Sequence, residues 1–326
     1  MDSVNVLILS AGRRVELVNC FINARKRLGV PGNVIAVDCS QTAPALYFAD
    51  KYHLVPRIDS GKYVEAVIDV CNEEEVSLIV PTIDTELLLL SKNRELIESK
   101  TKAKLLVSDF SVVDVCRNKL NTQRFMEEHG FLVPHLYTKE EISNGNLKYP
   151  VFVKPVDGSS SIDTFKVENE KELEAVLTLV DEPMVQDYMD GEEFTIDVFL
   201  DFESNIITVV PRIRMATRSG EIAKGRIVKD IDIIKDVTRL MNELKPVGHI
   251  TVQCRKTSKG IEYIEINPRF GGGAPMSIMA GADSCENLYR LLRGEVLSYN
   301  DEFRENVTFL RFDSCIMLNE DMVPRT

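Results

Sequence analysis

The sequence predicts an α/β chain in two parts, a doubly wound parallel domain followed by an α+β lobe with a mobile lid, and three observations predict it. Across residues 4–108 short apolar runs alternate with longer amphipathic ones, the texture of parallel strands buried between helices. From Tyr149 onward β-rich runs such as VFVKPV, EFTIDVFLD, IITVVPRIRM, HITVQCR and GIEYIEINPR dominate, with helical patterns at 168–180, 229–244 and 284–292. The chain has 326 residues, more than one hydrophobic core usually organises.

Taken in order, strands are expected at 4–9, 33–37, 76–82 and 104–107, and helices at 15–28, 62–72 and 86–99. Functional loops of such a domain follow the carboxyl ends of the strands, which places 10–14, 38–40 and 81–86 along one edge. The first of these, SAGRRVEL, has a single glycine in place of G-x-G-x-x-G, so it does not carry a dinucleotide fingerprint; Gly12 is a tight turn and Asp38 a strand-end cap or a substrate contact. From this edge Asp84 and Glu86 could hold an amine, and Arg13 or Arg14 a carboxylate. A helix at 111–129 follows, with Gly130 as its stop and Pro134 beyond. The expected boundaries are 1–110 for the first domain and 111–326 for the second, with a lid at about 149–187.

Composition narrows the partners. The formal net charge is -12, and no Lys/Arg run tracks a phosphate backbone, which argues against nucleic acid. An anion site must then be local, built from a few placed cations and backbone amides. Seven scattered cysteines without a C-x-x-C pair fit a reducing cytoplasm, and the four histidines lack zinc-ligand spacing. The first apolar run is too short to span a bilayer, so neither a membrane anchor nor secretion is expected.

Three segments carry chemistry. In VFVKPVDGSSSIDTFKV, Lys154 ends an apolar strand before a run of small residues, where backbone amides can approach phosphate oxygens beside a point charge. In MVQDYMDGEEFTIDVFLD a short polar linker with Gly191 joins two strands; main-chain groups there can read an adenine ring, and Glu193 can accept from ribose hydroxyls. In TVQCRKTSKGIEYIEINPRFGGG two strands carry Gln253, Glu265 and Asn267. Side chains two apart share a strand face, so Glu265 and Asn267 project together with Gln253 opposite, while Ile264 and Ile266 form the other, apolar face. Hard oxygen ligands of this kind suit magnesium, and Arg269, two further along, can hold a terminal phosphate. Arg212 and Arg214 alternate on one strand face, which points into the cleft or at an acidic substrate, with Arg214 and Arg218 the candidate substrate or phosphate contacts. The glycine-rich stretch after Arg269 adds amides for an anion.

In their order these segments resemble the ATP-grasp superfamily, in particular one half of the carbamoyl phosphate synthase large subunit and related small ligases. The resemblance runs over nearly the whole chain: a pre-ATP-grasp domain, the helix entry with Asn118 and Lys119, the V-K-P strand, the D-G-S-S lid, the linker, and the closing E-I-N-P-R. It implies that Lys119 and Lys154 hold ATP phosphates under Ser159, Ser160 and Ser161. It implies that Asp187 and Met189 present backbone groups to adenine, with Gln186 and Tyr188 also in the nucleotide site, Glu193 takes the ribose, Gln253, Glu265 and Asn267 bind Mg2+ (with Mn2+ able to substitute), and Arg269 steadies the transferring phosphate. Gln253 and Asp187 stand where many relatives have glutamate. The implied activity is conversion of a small carboxylate to an acyl phosphate that an amine or similar nucleophile attacks. A nucleotide-binding partner subunit of a split carbamoyl phosphate synthase-like complex, inactive alone, is the alternative, and assembly as a homodimer or with a partner stays open.

Overall fold

The computed structural model describes residues 3–157 and 162–323, so Ser159, Ser160 and Ser161 lie outside the described residues. Apolar runs at the start of the chain form β1 (Asn5–Ile8), β2 (Val34–Asp38), β3 (Lys51–Leu54), β4 (Val76–Val80) and β5 (Lys104–Leu105). They pair in parallel in the order β3-β2-β1-β4-β5. Successive side chains enter opposite layers: Val6 and Ile8 pack with Leu17, Val18 and Phe21 of α1 (Val15–Leu28). Leu7 and Leu9 pack with α2 (Tyr63–Glu73), α3 (Asp84–Lys92) and α4 (Arg94–Lys100). Both faces are therefore dry, which is why these strands read as continuous apolar runs.

Three elements depart from expectation for local reasons. Strand β3, KYHL, escaped the apolar pattern because it is an exposed edge, with Tyr52 41% and Leu54 51% exposed. The helix expected at 86–99 breaks at Asn93, whose side-chain amide bonds the Leu89 carbonyl at 2.8 Å and closes α3. The helix expected at 111–129 breaks at Asn118, where extended backbone separates α5 (Phe110–Arg117) from α6 (Lys119–Glu128). The Asn118 Oδ1 accepts from the Leu120 and Asn121 amides and so starts α6 afresh.

After α7 (Lys139–Ser143) comes a small antiparallel sheet of β6 (Val151–Pro155), β7 (Phe165–Val167) and β8 (Pro183–Asp187), order β7-β6-β8, backed by α8 (Glu170–Leu177). The larger antiparallel sheet contains β9 (Gly191–Leu200), β10 (Ile206–Arg218), β11 (Glu221–Ile227), β12 (Gly248–Thr257), β13 (Gly260–Asn267) and β14 (Thr308–Leu310), order β13-β12-β9-β10-β11-β14. One face is covered by α9 (Ile231–Leu244), whose Ile233, Val237, Leu240, Met241 and Leu244 recur at helical spacing and are buried. Each such side chain contributes about 1.5–3 kcal/mol on burial. Helices α10 (Ala274–Met279) and α11 (Ser284–Leu292) return the chain to α1, where Phe21 meets Phe270 and Tyr289 edge to face at 5.8 and 6.3 Å. The parallel sheet and the C-terminal segment thus share one core. Among the described residues no helix is long and apolar enough to cross a membrane.

Candidate active site

The β12–β13 hairpin sets Gln253 opposite Glu265 and Thr251 opposite Asn267. Glu265 Oε1 accepts from Gln253 Nε2 at 2.6 Å and from Asn267 Nδ2 at 2.8 Å. One carboxylate and two amides therefore meet at one point. Their register shifts between Gln253 and Cys254, leaving Ile264 as an extra residue on β13. The bulge corrects the expected apolar face: Ile266 is in the core, but Ile264 is half-buried and lines the cleft beside Glu265.

That cleft lies between the small sheet and the large one, and its walls include Lys119, Phe152, Lys154, Tyr188, Met189, Glu193, Arg214, Gln253, Arg255 and Glu265. Lys154 is 6% exposed, and its ammonium has no salt bridge or hydrogen bond among the described residues. Burial pushes its ammonium down to about 8, against the attraction of Glu265. Lys119, the first residue of α6, donates to the Val156 carbonyl at 3.3 Å, and burial lowers its pKa as well. A smaller recess lined by Asp84, Arg117, Lys119, Glu265 and Asn267 continues from the cleft.

The end of β8 and the linker after it contribute unevenly. Tyr188 and Met189 line the cleft, whereas Gln186 does not: it is 2% exposed and its amide bonds Gln123 Oε1 at 3.0 Å. The Asp187 amide donates to the His135 carbonyl at 2.9 Å, and its carboxylate accepts from the Tyr137 hydroxyl at 2.7 Å. The expected use of the Asp187 backbone for adenine is thus corrected at the amide, which is already bonded within the protein. Glu193 lines the cleft but pairs with Arg214 at 2.9 Å and with Arg255 at 2.8 Å. Arg255 was not singled out from the sequence, although it stands two residues past Gln253 on β12, the spacing that defines a shared face.

The arginines of β10 separate into three environments. Arg212 is a correction, because it is 1% exposed and points away from solvent into a buried pair with Asp197 at 2.8 Å. Its Nη1 also donates to the Gly273 carbonyl at 2.6 Å. Although burial alone would raise the Asp197 carboxyl, Arg212 with His249 and Ser277 holds it well below the usual carboxylate range. Arg214 reaches the cleft, donating to Gln253 Oε1 at 3.2 Å and to the Gly220 carbonyl at 3.0 Å. Arg218 is not brought to it; at the exposed end of β10 it pairs with Asp313 at 2.5 Å. Arg269 donates to both oxygens of Asp84, at 3.1 and 2.6 Å, and lies 3.4 Å from Asn267 Oδ1.

Among the strand-end loops, Asp38 stitches its own edge by accepting from the Gly12 amide at 2.9 Å. Glu86 cannot contact a substrate, which corrects its expected role: it is fully buried and accepts from Ser10 Oγ, the Tyr63 hydroxyl and the Thr82 and Ile83 amides. It ties the ends of β1 and β4 together.

Chemically, a carboxylate with two amides is a donor set for a hard divalent cation, since turning either amide exchanges nitrogen for oxygen at nearly the same position. A buried lysine whose ammonium makes no salt bridge among the described residues, with Glu265 the carboxylate acting on it, fits an anionic group beside it. Comparison with known proteins bears on both. Residues 122–224 match the profile described as D-ala D-ala ligase C-terminus, and residues 180–314 match ATP-grasp in the biosynthetic pathway with Ter operon. The chain carries an ATP-grasp domain.

The first part of this ATP-grasp chain, residues 6–103, matches the PylC-like N-terminal domain. A D-alanine–D-alanine ligase of Clostridium beijerinckii is 30% identical over 135 residues, 37% of this chain and 45% of that protein. A carbamoyl-phosphate synthase of Methanobrevibacter smithii is 24% identical over 170 residues, 50% of this chain and 45% of that one. The chain thus spans under half the length of these curated relatives. The fold is that of N5-carboxyaminoimidazole synthetase from Staphylococcus aureus complexed with ADP, at TM-score 0.75 and 17% identity over 98% of this chain and 83% of the other.

Proposed function

We propose that this ATP-grasp chain is an Mg2+-ATP-dependent carboxylate–amine ligase, with a pre-ATP-grasp domain at 1–110 and the ATP-grasp domain at 111–326, its lid at about 149–187. The observation that carries the reading is the convergence of Lys119, Lys154, Gln253 and Glu265 on one cleft, with Asn267 bonded to Glu265 from the adjoining recess and Arg269 beside Asn267.

On this reading Lys119 and Lys154 neutralise phosphate oxygens, and Phe152, Tyr188 and Met189 pack against the base. Glu193, fixed between Arg214 and Arg255, presents its carboxylate to the ribose side of the cleft. Gln253, Glu265 and Asn267 would hold Mg2+, or Mn2+ in its place, which supplies charge neutralisation at the transferring phosphate. Arg214 and Arg269 stand at either side of that set. The chain's work is positioning and charge compensation: a carboxylate oxygen attacks the terminal phosphorus, ADP leaves, and an amine then displaces phosphate from the acyl carbon. The names of the relatives support this class of reaction. All seven cysteines are unpaired, which supports a cytoplasmic location.

A phosphate-release screen tests the proposal, with isolated protein and Mg-ATP against panels of amino acids and small carboxylates, alone and in pairs. Phosphate release that needs both a carboxylate and an amine is expected. Nucleotide binding without turnover on any panel would point instead to a partner-dependent subunit, and no nucleotide binding would sink both readings.

A further inference from the structure

A cluster of guanidinium groups lies where the loop before α1 meets the glycine run after Arg269. Arg14 Nη1 is 3.4 Å from Glu221 Oε1, and Arg311 Nη1 is 2.8 Å from Glu221 Oε2. Both Arg14 and Glu221 rest on the backbone of Gly272, where a Cβ would fall 2.6 Å from Arg14 Nη1 and 2.8 Å from Glu221 Oε2. A side chain at 272 would have to displace both groups. Arg269, held by Asp84, is close enough that its charge adds to burial in lowering the Arg14 pKa, and Arg13 and Arg311 act on Glu221 together with Arg14.

Four guanidinium groups, Arg13, Arg14, Arg269 and Arg311, act with three carboxylates, Asp84, Glu221 and Asp313, of which Asp313 is already paired with Arg218. The local excess is positive in a chain whose net charge is -12. Helix α1 begins immediately after Arg14 with no side chain capping its first turn, so its positive end adds to the same field. Through Arg269 and Asn267 this cluster is continuous with the Glu265 site.

We infer that the acceptor carries an anionic group, carboxylate or phosphate, besides its reacting atom, bound by Arg14 and Arg311 over Gly272, and that Glu221 competes with it for these two side chains. The inference rests on the ligase reading for the word acceptor, but the anion site stands on the cluster itself. Charge complementarity excludes neutral acceptors by leaving the guanidinium groups desolvated and under-compensated.

Calorimetric titration with inorganic phosphate and with succinate, each with and without Mg-ADP, tests it on the full chain and on Arg14→Gln, Arg311→Gln and Glu221→Gln. Arg311 and Glu221 are exposed, so their variants keep the fold even if Arg14→Gln does not. The wild-type chain is expected to bind one of the two anions, about tenfold more tightly in Glu221→Gln and about tenfold more weakly in Arg311→Gln and Arg14→Gln. Preference for phosphate assigns a phosphorylated acceptor, and preference for succinate a carboxylated one. Binding of neither anion, or binding that none of the variants alters, overturns the inference. Failure of Mg-ADP to bind would overturn the ligase reading and leave the anion result standing.

Discussion

Asp84, the first residue of α3, grips Arg269 with both carboxylate oxygens across 185 positions of sequence, at 3.1 Å to Nε and 2.6 Å to Nη2. The two side chains are 14% and 13% exposed. A bidentate pair at this degree of burial orients the guanidinium as well as compensating it. It locks the parallel-sheet layer to the β13 end that carries the Glu265 site.

Replacing Asp84→Asn keeps the shape and removes the charge, so Arg269 loses its orientation. Turnover is expected to fall by about 10²-fold, the size of effect that follows a misplacement of about 1 Å. Stability should fall by about 1.5–3 kcal/mol, as for a charged hydrogen bond. Steady-state kinetics and urea unfolding check the two numbers; an unchanged rate would remove Arg269 from the reaction.

Glu265 is the single carboxylate where Gln253 and Asn267 meet. Changing Glu265→Gln should lower turnover by about 10²–10³-fold while thermal unfolding stays cooperative. The dependence of the residual rate on Mg2+ concentration should shift to higher concentration. A variant with normal rate and normal Mg2+ dependence would put the metal elsewhere.

Lys154 gives a pH dependence whose sign follows from its environment. Its ammonium titrates at about 8 in the folded chain and at 10.5 when unburied. Below pH 8 it is charged and receives a phosphate without taking up a proton. Above pH 8 binding must protonate it, so ATP affinity should fall by up to about tenfold per pH unit between 8 and 10.5. Without nucleotide the sign is opposite: the unfolded chain binds the extra proton in that window, so stability rises with pH. Lys154→Met should flatten both profiles, measured by calorimetry and by melting.

Arg212 tests the fold. Arg212→Ala leaves Asp197 charged and buried, and should cost about 3–5 kcal/mol. Joint replacement with Asp197→Leu should recover part of that loss, and the double-mutant cycle measures the coupling.

The core of the site was legible because two-residue alternation is a local rule: it brought Glu265, Asn267 and Gln253 together on paper as β13 and β12 do in space. Where it misled, a physical cause is visible. The bulge at Ile264 broke the alternation, and Arg212 shares a strand face with Arg214 but meets Asp197 under a covered part of the sheet, a distinction absent from sequence. Asn93 and Asn118 each end a helix through their own side chains, which the apolar pattern did not register. The Asp84 link to Arg269 and the closure of Arg14 and Arg311 on Glu221 depend on tertiary packing across long sequence separations, so no local pattern could reveal them.

Trapping with hydroxylamine tests the central claim most directly, because this nucleophile captures an acyl phosphate as a hydroxamate. With Mg-ATP and a carboxylate panel, the wild-type chain is predicted to form ADP and a hydroxamate in equal amounts, and Glu265→Gln to form both about 10²–10³-fold more slowly. ATP turnover with AMP as the product, or ADP formed on every carboxylate without any hydroxamate, would contradict the account.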